Sequence, residues 1–261
     1  MSNLAEFFDY TKVPDLEEIL DHLPINATDK RDVNTYLKDV TDSILVNYGG
    51  EQYQFAYFGI HLLYMTYIYF SVQKISVITP SRYKDAVVFA KPYHGHKLDF
   101  NNLESTFDYS LVSEKELPNI LKIIGLDGSQ IAKIGVLVDT RNVMAHASGQ
   151  FEISTKNSFD ANVNHVVISI RSIHKCMDKQ IRMWFKDFLL RYCDNKFVDY
   201  GDIKDIITEQ VIQGINLSVK ELLVCHEMSI SDIITEHRNL APKLKKFKEA
   251  IATYCEESGY I

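Results

Sequence analysis

Apolar residues recur at three- and four-residue steps over most of the chain, the spacing that lines one face of an α-helix. Val33, Leu37, Val40 and Ile44 keep this period. Thr28 followed by Asp29 offers a start and Gly49-Gly50 a stop, predicting an amphipathic helix from Lys30 to Asn47. Residues 14 to 22 predict a shorter helix, with Pro14 in the first turn and Asp15, Glu17 and Glu18 at its positive end. The longest run extends from Asp160 to Tyr192, through Val163, Val166, Ile170, Ile173, Met177, Ile181, Phe185 and Phe188, and predicts a helix of about nine turns. Ser113 with Glu116 has the form of a capping box opening a helix that ends at Gly125. Asp127-Gly128-Ser129 opens another, from Gln130 to His146 or Ala147, with Gly149 as its stop. Residues 199 to 261 predict three more helices, one of them opened by Ser218 with Glu221. Thr79 to Asp85 is expected as a loop. The polar stretch from Pro92 to Ser110 lacks periodicity and reads as a functional loop or an insertion.

From Gln52 to Gln73 there is no Asp, Glu, Lys or Arg, a length able to cross a bilayer. Its tyrosines, Tyr53, Tyr57, Tyr64, Tyr67 and Tyr69, are distributed along the whole segment together with Gln54, His61 and Thr66, whereas membrane helices keep tyrosine at the interfaces. The expectation is the central helix of a bundle, apolar nearly all round because neighbours surround it. No membrane association is expected.

Composition supports a folded, helical chain: 46% of the 261 residues are hydrophobic and 24% charged, with only 11 Gly and 6 Pro to serve the many turns of a sandwich or barrel. The expected class is all-α. Cys176, Cys193, Cys225 and Cys255 form no C-x-x-C pair and read as reduced, mostly buried thiols. The first residues carry no basic stretch before an apolar one, so no secretory signal is read and a cytoplasmic location is expected. A net charge of -7 argues against coating nucleic acid through the whole surface; a nucleic-acid substrate would need a local cationic site.

Such a site is offered by Arg141, Asn142 and His146, which follow the apolar run Ile134-Gly135-Val136-Leu137-Val138 on one predicted helix. Asn142 and His146 share a face and Arg141 borders it. A guanidinium grips phosphate oxygens with paired donors, and an imidazole gives and takes protons near neutral pH, a set suited to phosphodiester cleavage without metal. Bland readings stand beside this one: a buried arginine bonded to carbonyls, and a histidine capping a helix end.

The run Arg141-Asn142-Val143-Met144-Ala145-His146 resembles the Arg-x4-His signature of the HEPN superfamily, whose members often place a polar residue such as Asn after the Arg. The resemblance covers roughly residues 28 to 193. It implies an α-helical bundle over 25–194; the flanking segments, read as an N-terminal arm over 1–24 and a C-terminal helical extension over 195–261, match no part of the family. It also implies a metal-independent endoribonuclease in which the ribose 2′-hydroxyl attacks the adjacent phosphorus. In that scheme His146 is the acid and base, Arg141 holds the phosphate, and Asn142 orients the phosphate or the imidazole. Further implications are an RNA substrate, possibly tRNA, a homodimer with a composite cleft, and an antitoxin or activator as partner in phage defence or stress response. No cofactor and no metal are implied. Ser148 stands where one toxin subfamily carries a tyrosine, so regulation through that tyrosine is not expected. A catalytically idle HEPN-like module that binds RNA, a nucleotide or a protein is the alternative, and a helical adaptor a third reading.

Weaker signals remain open. His61 is either a core histidine or a polar residue approaching the cleft, and Glu51 is equally a polar residue near the cleft or a charge complementing the helix start. His94-Gly95-His96 offers two imidazoles but no third metal ligand. The five cations from Arg238 to Lys248 are either a solvated helix face or a grip for phosphates.

Overall fold

The computed structural model describes residues 10–93, 96–145, 151–194 and 202–261. Among them the architecture is all-α, with only two isolated β-bridges, Pro24 to Ser218 and Pro92 to Val112. The helices are α1 (Leu16–Asp21), α2 (Val33–Gly49), α3 (Tyr53–Ile78), α4 (Pro80–Val87), α5 (Gly128–Ala145), α6 (Lys156–Cys193), α7 (Ile203–Ile206, continued by a π-turn over Ile207–Ile212), α8 (Val219–Glu227), α9 (Ser231–Glu236) and α10 (Ala241–Glu257).

The uncharged segment forms α3, and its environment explains its composition. It packs against α1, α2, α4, α5 and α6, and its most apolar stretch is 83% buried inside the protein. Tyr57, Tyr64, Tyr67 and Tyr69 are buried, and two of their hydroxyls bond to α6, Tyr64 meeting the Ser169 hydroxyl at 2.7 Å and Tyr67 donating to the Ile170 carbonyl at 3.3 Å, whereas the Tyr57 hydroxyl is buried without a partner among the described residues. Such bonds offset the cost of placing the Tyr64 and Tyr67 phenols in a packed interior. α6 is the longest helix among the described residues, opened by a Thr155–Ser158 box slightly ahead of the expected start.

Four expectations are corrected. Helix α2 starts at Val33, not near Thr28: Asp32 caps it by accepting the Thr35 N–H at 3.0 Å. Asp29 is occupied elsewhere, taking the N–H groups of Arg31 and Thr106. Residues 80 to 87 form α4 and not a loop, with Pro80 at its first position, where a missing N–H costs nothing, and with Tyr83 and Val87 buried. Ser113 and Glu116 do not form a capping box. Pro118 would then lie inside the helix and clash with the carbonyl four residues back, so the chain turns over 113–116 and enters a 3-10 helix, Leu117–Ile124, with Pro118 in its first turn. Ser113 accepts instead from the Lys115 N–H. Finally, residues 202 to 261 hold four α-helices, not three, because the segment before Gly214 forms α7 and its π-turn.

The C-terminal helices pack on the rest: α8 and α10 lie on α6, and the Ile25 N–H bonds the Leu217 carbonyl at 2.8 Å. The Ser218–Glu221 capping box opens α8 as expected, and Glu221 does more. Both it and Lys74 are buried, and their carboxylate and ammonium meet at 2.6 Å, tying α3 to α8. Burial alone would push the Glu221 carboxyl up, but the Lys74 charge and hydrogen bond hold it below its usual range. The four cysteines carry no disulfide, and three of them are buried.

Candidate functional site

The apolar run Ile134 to Val138 buries Ile134, Leu137 and Val138 and so fixes how α5 lies on the bundle. Asp127 and Gln130 start this helix by exchanging backbone N–H bonds, each at 2.8 Å. One turn past the buried run, Arg141 and Asn142 emerge half-buried. His146, the third expected residue, lies outside the described residues, as do His94 and Gly95 of the possible metal pair. His96 is exposed.

Arg141 is not free. Its Nη2 bonds Oε2 of Glu114, and the same oxygen accepts from Nε2 of His61 at 3.1 Å. Guanidinium, carboxylate and imidazole from three parts of the chain thus share one oxygen. The local reason is the turn over 113–116 that Pro118 enforces, which leaves Glu114 outside any helix and able to reach both α3 and α5. Lys115 pairs in addition with Asp139, stapling the same turn to α5.

The electrostatics follow burial. His61 is only 2% exposed, whereas the Arg141 and Glu114 side chains keep 26% and 20% of their surface. Burial works to raise the Glu114 carboxyl, but hydrogen bonds and charge from His61 and Arg141 outweigh it and hold it below the ordinary carboxylate range. Glu114 is therefore an anion at neutral pH, and the His61 ring presents Nε2–H to it. His61 Nδ1 is buried with no hydrogen-bond partner among the described residues. Of the five guanidinium N–H groups of Arg141, the Glu114 contact occupies one, so a phosphate oxygen can be taken without breaking the tie.

His61, weighed from sequence as core or cleft, is both buried and joined to Arg141. Glu114 was missed. A single acidic residue in a turn has no periodic signature, and only Pro118 hinted that the turn exists. Glu51 stands at the start of α3 with φ of 59° and no charge partner among the described residues. The basic run is partly structural: Lys243 donates to the Cys193 carbonyl at the end of α6, and Lys248 to the Cys225 and His226 carbonyls at the end of α8. Cations there cap unsatisfied carbonyls. A cavity of about 350 Å³ opens between α5 and α6, with Ile134, Leu137 and Ile173 in its floor, but neither Arg141 nor Glu114 lines it.

No protein-family model, no curated protein and no solved structure matches this chain.

Proposed function

We propose that the chain is a metal-independent endoribonuclease of HEPN type, acting in the cytoplasm on RNA. The observation that supports this reading most is the meeting of Arg141 with the buried His61 on one Glu114 oxygen, with Asn142 beside it at the end of a core helix. In this scheme Arg141 stabilises charge on the phosphate, His146 moves the proton, and Asn142 orients the phosphate. Glu114 holds the guanidinium in place, and His61 holds Glu114. Both are positioning residues. Val136 and Val143, seven residues apart on α5, are 62% and 47% exposed, which supports a second copy covering this helix and a composite cleft in a homodimer. An antitoxin or activator remains part of the proposal, as does tRNA as one possible substrate.

The Glu114 tie also favours a second reading, a catalytically idle HEPN-like module. A carboxylate that neutralises Arg141 is what a structural ion pair looks like. The test is incubation of the protein with total tRNA and with a labelled single-stranded RNA in EDTA, beside Arg141→Ala and His146→Ala. The nuclease reading predicts cleavage by wild type and loss in both variants with folding retained. Loss of stability before any loss of cleavage assigns Arg141 to structure.

A further inference from the structure

Phe55 on α3 and Phe151 just before α6 are 96 residues apart in the chain, yet their rings meet edge to face with centroids 6.1 Å apart. Both remain exposed, at 48% and 60%. Large rings that touch each other and still face solvent are costly to leave bare in a chain that buries most of its aromatics. What holds them is Gln54. Its amide donates to the Met144 carbonyl at 3.5 Å, and its carbonyl oxygen accepts the Glu152 N–H at 2.9 Å. The clip joins the residue before Phe55 to the residue after Phe151, and both to α5. Met144 is three residues beyond Arg141, roughly 4.5 Å of helix rise. Phe55, Phe151, Tyr53 and Ile153, with Glu51 and Ser154 beside them, line a shallow cavity of about 100 Å³.

We propose that Phe55 and Phe151 form a stacking platform for an unpaired RNA base beside the phosphate held by Arg141. The choice of RNA rests on the nuclease reading above. A base offers a flat π-face to the rings, while its backbone offers an anion to the guanidinium of Arg141, which stands on α5, the helix that the Gln54 clip ties to both rings. A base inside a duplex has no free face to give. The platform therefore selects single strands, loops or bulges, as sequence-tolerant stacking does in general.

The test uses a short single-stranded RNA carrying 2-aminopurine, with 2′-O-methyl groups throughout to block cleavage, and the same sequence as a duplex. Wild type is expected to bind the single strand and to change the 2-aminopurine fluorescence by stacking. Phe55→Ala with Phe151→Ala is expected to abolish that change and to weaken single-strand binding about tenfold or more, leaving duplex affinity and melting temperature as they were. Phe55→Trp and Phe151→Tyr, which keep a ring, are expected to retain both signals. Wild type that ignores the single strand overturns the proposal, as does an alanine pair that binds normally or loses single strand and duplex alike. A changed oligomeric state in the alanine pair with unaltered RNA binding also overturns it and assigns the rings to a protein contact. Cleavage assays on unmodified RNA separate the two readings. Cleavage that needs Arg141 but not the rings sinks the platform alone, and stacking without cleavage sinks the nuclease alone.

Discussion

Replacing Lys74 by Met keeps most of the apolar stem and removes the charge, leaving the Glu221 carboxylate buried with no cation. Wild-type Glu221 is 2% exposed and Lys74 fully buried, so solvent cannot compensate the loss. Breaking a buried pair on one side costs about 3–5 kcal/mol, because the remaining ion bears its desolvation alone. At about 2–4 °C per kcal/mol for a domain of this size, the melting midpoint should fall by roughly 6–20 °C. Glu221 also accepts the Ser218 N–H at 2.9 Å as part of the α8 cap, so its removal has a second cost that must be kept apart. Gln at 221 keeps an acceptor for that cap and removes the charge, so Lys74→Met with Glu221→Gln should recover most of the loss. Urea denaturation of wild type, both single variants and the double variant closes the cycle. Lys74→Met within about 1 kcal/mol of wild type would contradict this cost and mean that Glu221 is hydrated or protonated in the native protein.

Three further outcomes are expected. His22 is held down to about 3 by burial and by His174, whose ring centroid lies 4.8 Å away, with Glu221, Lys220 and Lys74 also acting on it. The unfolded chain then binds more protons below the ordinary histidine value of 6.5, so stability should decline as pH falls through 6.5 toward 3, and His22→Asn should flatten the slope between about pH 6.5 and 5 in denaturation curves. Gly59→Ala should destabilise by about 1–3 kcal/mol despite the better helix former, because the new methyl overlaps the Ile44 Cγ1 in the buried α2–α3 contact; a calorimetric double-mutant cycle in which Ile44→Ala, which removes that carbon, shows no compensating coupling with Gly59→Ala would count against overpacking. Glu114→Ala strands the buried His61 N–H and releases Arg141, which should cost about 1–3 kcal/mol in urea denaturation, whereas an unchanged midpoint would show that the shared oxygen holds nothing in place.

Legibility in the sequence followed periodicity. α3 and α6 were readable because their apolar positions repeat over many turns, and the burial of α3 among tyrosines matches its lack of membrane-like composition. The Ser218–Glu221 cap was readable as a local pattern, but not its partner Lys74, since 147 residues separate them and only packing joins them. Start signals misled where two competed. Thr28-Asp29 and Asp32 lie four residues apart, and the side chain bonded to the first turn was the later one. At Ser113 the capping pattern was present, yet Pro118 decided the backbone. That same proline lets Glu114 reach Arg141, so what defeated the helix expectation built the candidate site. Arg141 and Asn142 could be picked out as residues, but the charge that holds Arg141, the second histidine and the Phe55–Phe151 pair are contacts between distant segments, and no local spacing announces them.

Attack by the ribose 2′-hydroxyl leaves a signature in the ends of the RNA products. Wild-type protein is incubated in EDTA with an unmodified single strand and with the same strand bearing a 2′-O-methyl group at the cut position, beside the double variant Arg141→Ala, His146→Ala, and products are weighed by mass spectrometry. Wild type alone should leave 2′,3′-cyclic phosphate and 5′-hydroxyl ends, with the methylated strand intact at that position. Cleavage of the methylated position, or equal cleavage by the double variant, would contradict this mechanism.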